Sequence, residues 1–297
     1  MSNDVPASFA ITRQYLTFHA VLSKLNTHTF FNIIDTLMTY SEITYEATDR
    51  IAYLTLNRPD KLNALTPTLI AELTLALEQA ERDDTVKVII LQGAGKAFSA
   101  GLDLDVLGKL SQNSTMENLY DSEAIARLFK KIYTNKKLTI AKVHGVAVAG
   151  GCGIATSADI VVADSEHARF GYTEGRIGFV PAIVAVLILR KTRHAGVREL
   201  LLRANIVSAD EALRLGLINY SVPSHDLHTF TRELADEVLN SVSATSIELT
   251  KKLLAATETM SLDDSIEFAI SLNALSRTTD DLKKGIGAFL NKEKPQW

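Results

Sequence analysis

Cysteine is almost missing from this chain: Cys152 stands alone among 297 residues. A single thiol excludes an internal disulfide and argues against a zinc site, so nothing in the composition points to an oxidising compartment. A basic excess is missing as well. There are 31 Lys and Arg against 35 Asp and Glu, a net charge of −4, and the pI is near 6.0. Nucleic-acid binding usually needs a basic face, so nucleic acid is excluded as the main partner. Long apolar runs are absent too: Ile183 to Leu189 is far too short to span a bilayer and runs into Arg190-Lys191. The expectation is a soluble chain with no membrane partner, working in the cytoplasm or, in a eukaryote, the mitochondrion. With 46% hydrophobic residues, it can bury one large core with an appendage.

Acids are scarce in residues 1–40, which are rich in Thr, Phe and His and carry scattered positives at Arg13 and Lys24. The arginines are too few for a transit peptide, and a secretory signal's compact order of charge, apolar core and cleavage site is missing. An N-terminal extension, or a start read too early ahead of Met38, is the preferred reading.

From about residue 43 strands and helices alternate. Ile51 to Leu56 reads as a strand ended by Asn57-Arg58-Pro59-Asp60. Thr66-Pro67 opens a helix whose apolar face is Leu69, Ile70, Leu73, Leu77 and Ala80. Val86–Leu91, Leu138–Val143 and Ile160–Ala163 follow as buried strands. Ser208-Ala209-Asp210-Glu211 reads as a capping box and Gly216 as the end of its helix. After Val222-Pro223 four helices are expected, at about 226–241, 245–257, 261–275 and 279–291. The pattern predicts an α/β core over 41–225 and a helical C-terminal region over 226–297.

Two short glycine turns, Ala100-Gly101 and Gly150-Gly151, each end a strand-like run ahead of a helix-like one. Two nucleotide signatures are missing from them. Gly93-Ala94-Gly95-Lys96 has the wrong spacing for a phosphate loop, and Phe98 stands where a dinucleotide fingerprint needs its third glycine. Free N–H groups at two such turns, converging on one oxygen, would instead make an oxyanion hole.

The neighbours of these turns resemble the crotonase (enoyl-CoA hydratase/isomerase) superfamily over residues 43–297. The likeness rests on five stretches in the family's order: Asn57 through Leu65, Lys96 through Leu104, His144 through Asp159, Phe170-Gly171-Tyr172-Thr173-Glu174 with Gly178 and Pro181, and Arg277 through Lys292. The resemblance implies a crotonase-like (ClpP/crotonase) spiral core of ββα units. It also implies an acyl-CoA thioester substrate, no separate cofactor and no metal, and a homo-oligomer, either a trimer or a dimer of trimers. Carried over residue by residue, it gives Ala100 and Gly150 N–H as the oxyanion donors and Glu174 as the acid/base. Lys61, Ala100, Gly101, Leu102, Asp103 and Gly150 become substrate contacts. An N-cap role for Asp103 is preferred to direct chemistry, and Cys152 reads as a small buried hydrophobe.

One carboxylate is missing from the family pattern. Gly153 stands where two-glutamate hydratases carry one of the pair, which leaves Glu174 as the sole matching acid. Pro181-Ala182-Ile183-Val184 replaces a glycine-rich run and should reshape the acyl pocket. The expectation is an enzyme that hydrates, dehydrates or isomerises an enoyl-CoA. A catalytically silent CoA-binding protein is the rival reading. Gly153→Glu is expected to raise hydration if its surroundings accept the side chain.

Overall fold

The computed structural model describes residues 39–297. Residues 1–38, and with them nearly all of the expected extension and Met38, lie outside the described residues. Glu42–Trp297 forms one compact unit.

Strands β1 (Ile43–Thr48) and β2 (Ile51–Leu56) pair antiparallel. Asp49 and Arg50 join them at φ 50° and 66°, the doubly positive geometry that suits the twist of a two-residue hairpin. Helix α1 (Pro67–Arg82) then starts as the sequence predicts. Pro67 opens it, Thr66 Oγ1 accepts from Leu69 N, and Leu69, Ile70, Leu73, Leu77 and Ala80 are buried with Ala76.

Three ββα turns follow. The first comprises β3 (Val88–Gly93), β4 (Ala97–Ser99) and helices α2 (Leu104–Leu110) and α3 (Thr115–Tyr133). The second comprises β5 (Leu138–Val143), β6 (Val146–Val148) and α4 (Gly150–Ser157). The third comprises β7 (Ile160–Asp164), β8 (Arg169–Gly171), a 3-10 turn (Thr173–Ile177), α5 (Ala182–Lys191) and α6 (Ala195–Arg203). In each turn the first strand joins a six-stranded sheet, where β3, β5 and β7 run parallel. The second strand joins a four-stranded sheet, where β4, β6 and β8 run parallel. The expected spiral is this stepping between two sheets.

The chain closes both sheets before turning helical. Strand β9 (Val207–Ser208) pairs with β8, α7 (Ala209–Arg214) follows, and β10 (Tyr220–Val222) pairs with β7. Helices α8 (Leu227–Ser241), α9 (Ala244–Thr257), α10 (Leu262–Ser276) and α11 (Asp280–Leu290) complete it, within a residue or two of the expected spans. Leu227, Ala235 and Leu239 of α8 pack on Ile51, Val88, Ile90, Ile140 and Val162 of the large sheet. The consecutive buried residues Val88-Ile89-Ile90-Leu91 are what a parallel strand covered on both faces requires.

One capping expectation changes. Ser208 Oγ does accept from Glu211 N, but the Glu211 carboxylate pairs with Arg214 rather than returning to Ser208. The reciprocal box forms instead at Ser114–Glu117, opening α3. No helix among the described residues is long and apolar enough to cross a membrane.

Candidate active site

The two glycine turns meet. Gly101 sits at φ +85°, and a Cβ placed on it would lie 2.8 Å from Ala149 Cβ and 3.5 Å from Gly150 N. No side chain fits between the turns, and the positive φ would strain one in any case. Ala149 itself adopts φ 47°, ψ −127°, an uncommon conformation for a residue with a Cβ. Its N–H donates to Gly171 O at 2.8 Å, which holds the start of α4 against β8 and the Glu174 turn behind it. The strain turns the chain sharply from β6 into α4 and leaves the N–H groups of the first helical turn, Gly150 foremost, without helical acceptors.

The first turn departs from expectation. Ala100 N–H donates to Leu62 O at 3.0 Å, so it is not available to a thioester oxygen. Gly101 N–H faces Ser99 Oγ at 3.3 Å. Leu65 N–H donates to Gly101 O, and Asp103 N–H to Leu65 O. These bonds bracket Leu102, whose N–H alone in this stretch has no acceptor among the described residues. The free donor therefore stands two residues beyond the expected one. It lies ahead of α2, which begins only at Leu104.

Asp103 is the N-cap of α2. Its carboxylate accepts from Asp105 N at 3.0 Å and from Arg58 at 2.9 Å. Arg58, and then the Asp105 N–H, hold its pKa below the ordinary carboxylate range, so it is a fixed anion rather than a proton carrier. Lys61 lies on the exposed 3-10 turn Pro59–Lys61. The same stretch contains a residue that the sequence argument left without a role. Asn63, buried at φ 54°, donates from Nδ2 to Ala94 O and Ala97 O, both at 2.8 Å, and accepts from Arg58 N. It pins β4 and its turn in place. Leu62 and Asn63 are successive left-handed residues, a conformation Asn tolerates best after Gly, and only the structure shows it.

Glu174 sits in the 3-10 turn after β8. Its Oε2 is buried with no hydrogen-bond partner among the described residues. Desolvation raises its pKa above the ordinary carboxylate value. A carboxyl in this condition can act as a base and, once protonated, as an acid nearer neutral pH than an exposed one. Cys152, wholly buried, has its thiol pushed up to about 12 by desolvation, which excludes a thiolate nucleophile there.

Position 153 is occupied by a ring. A Cβ on Gly153 would lie 2.5 Å from Cζ of Phe129, a buried residue of α3. The surroundings therefore do not accept a glutamate, and the expected gain of hydration from Gly153→Glu alone is withdrawn.

Residues 46–297 match the family model described as enoyl-CoA hydratase/isomerase. The chain is 42% identical over 247 residues to a Thermus thermophilus protein provisionally named an enoyl-CoA hydratase, covering 83% of this chain and 97% of the relative. It is 34% identical to the crotonyl-CoA hydratase of Syntrophomonas wolfei, over 86% of this chain and 98% of that one. Among solved structures, an enoyl-CoA hydratase from Shewanella pealeana superposes with a TM-score of 0.82 at 28% identity, covering 90% of this chain and 99% of the other.

Proposed function

The chain belongs to the enoyl-CoA hydratase/isomerase family, and on that premise we propose that it works through a thioester enolate with Glu174 as its single acid/base. An enzyme of this family takes an acyl-CoA thioester, in which CoA is part of the substrate and no further cofactor is required. The silent CoA-binding alternative is not favoured, since the relatives carry enzyme names. In our reading the N–H groups of Leu102 and Gly150 donate to the thioester oxygen. There they stabilise the negative charge that develops when a proton leaves C2.

The observation that carries the proposal is the contrast between Glu174 and Gly153. Glu174 has an unpartnered buried oxygen and a raised pKa, and the only other position where the family pattern would place an acid holds Phe129 against glycine. One carboxylate suffices to move a double bond from β,γ to α,β. It takes the proton from C2, the dienolate charge rests on the thioester oxygen, and the same carboxyl returns the proton to C4. Hydration asks more of that group, because water must be deprotonated and C2 protonated. Isomerisation is therefore the reading we put first. Hydration is kept as the second, on the names of the relatives.

Initial rates on crotonyl-CoA and, separately, on a β,γ-enoyl-CoA decide between them. The expected result is measurable isomerisation. Fast hydration with no detectable isomerisation would overturn the single-base argument. For assembly we propose a homo-oligomer, because α10 and α11 expose Leu262, Ile270, Phe289 and Leu290. Sedimentation of the purified protein checks this.

A further inference from the structure

Two residues before Glu174 stands Tyr172, the largest of the fully buried side chains among the described residues. A buried phenol needs a hydrogen-bond partner, and this one finds it on α4. Its Oη lies 3.0 Å from Thr156 Oγ1, with the Cys152 thiol as a second hydrogen-bonding neighbour. Thr156 Oγ1 also lies 2.8 Å from Cys152 O, one turn back in the same helix. Either hydroxyl can donate in the Tyr172–Thr156 bond; in both directions the phenol is bound to side chains of α4, Thr156 and Cys152.

The opposite end of the turn is held as well. Arg176 Nε donates to Ala204 O at 2.7 Å, at the C-terminal end of α6. Between these anchors the Glu174 carboxyl has no partner among the described residues beyond its own backbone N–H. Its position is therefore set by the turn and not by bonds at the carboxyl.

We propose that Tyr172 is a positioning residue: through Thr156 it locks the Glu174 turn to the helix whose first residue, Gly150, supplies an oxyanion donor. The base and the donor must face the same substrate, at C2 and at the thioester oxygen. The Tyr172–Thr156 bond ties their two backbones together. The inference rests on Glu174 being the base, and it adds a residue that touches neither substrate nor reacting atoms. Removing the hydroxyl should let the turn drift, and a drift of order 1 Å costs catalysis up to about 100-fold.

The test uses the full chain and whichever enoyl-CoA it turns over, with Glu174→Gln as the reference. Tyr172→Phe keeps the ring and removes the bond from one side; Thr156→Val removes it from the other. Each is expected to lower kcat about 10-fold with KM changed less than about 2-fold, and the double variant should fall no further than either single, the mark of one shared interaction. Thr156→Ser, which keeps the hydroxyl, should restore kcat. A merely structural role would lower melting temperature and leave kcat of the folded fraction unchanged. That outcome for both singles, with Glu174→Gln inactive, would overturn the proposal and leave the base assignment standing. Losses that multiply in the double variant would overturn it as well. Full turnover by Glu174→Gln would remove the base assignment, and this inference with it.

Discussion

Residues 153 and 174 are the two places where, on the proposed reading, an acid would face a thioester, and the structure treats them in opposite ways. At 174 a carboxylate stands half-buried, and one of its oxygens lacks a partner among the described residues. At 153 there is no side chain, and the Phe129 ring lies where one would go. The difference is one of cost. An unpaired buried carboxylate destabilises a fold and persists where something else is gained, whereas a ring packed on glycine stabilises by burial. One position carries an expensive group, and the other carries packed core.

The largest expected effect breaks the comparison at residue 174. Glu174→Gln preserves shape and removes the proton acceptor, so kcat should fall about 100-fold to 10,000-fold, the usual contribution of a positioned acid or base, while acyl-CoA still binds. Stopped assays with a titration calorimeter beside them read both. The same variant should melt at a higher temperature near neutral pH. The folded pKa of Glu174 is raised, so the group favours the folded state below its unfolded pKa, and that contribution is lost as pH rises through the folded value. A lower melting temperature would show that the charged form is stabilised after all.

The oxyanion donors come next. Gly150→Pro deletes the proposed N–H at the first position of α4, where proline suits a helix. A Cβ there meets only the end of the Leu65 side chain, which can move. The barrier should rise by about 3–4 kcal/mol for one lost donor. Unchanged turnover, with circular dichroism showing the fold intact, would place the donor elsewhere.

At residue 153 the effect is on stability. Gly153→Ala forces a methyl into the Phe129 ring and should cost about 1–3 kcal/mol by overpacking, read from urea denaturation, without changing the product formed. Gly153→Glu should be worse and gain no hydration unless Phe129 is shortened in the same chain. Hydration gained by Gly153→Glu alone would show that the ring yields.

The smallest effect is a pH limb. On the isomerisation reading, kcat/KM should decline on the acid side around a pKa above the ordinary carboxylate range, following Glu174. A limb at the ordinary carboxylate value would mean the group is solvated during turnover.

Much of the scaffold was legible because its causes are local. Thr66-Pro67 opens α1 and the apolar stripe from Leu69 to Ala80 is its buried face, both read from neighbours in sequence. The preferred cap role of Asp103 has the same origin, since the capping bond comes from Asp105 N, two residues on, while the partner Arg58 is distant in the chain. The small sheet was harder to read. Strands β4, β6, β8 and β9 hold two or three residues each, too few to show a period. Ser208–Glu211 had the letters of a capping box, yet a competing partner, Arg214, took the carboxylate.

The sequence by itself determined that strands and helices alternate, that two glycine turns stand in the family's order, and that Glu174 is left without a matching second acid. Tertiary structure alone decided which N–H groups are free. Ala100 and Leu102 look equivalent in the chain, but Leu62 O, brought across by the loop that Asn63 pins, occupies the first and leaves the second. It likewise decided that Gly153 faces a ring from α3 and that the Tyr172 hydroxyl is bound to α4. Hydrogen bonds and packing of this kind join residues distant in the chain, and no local pattern encodes which acceptor or which ring will arrive.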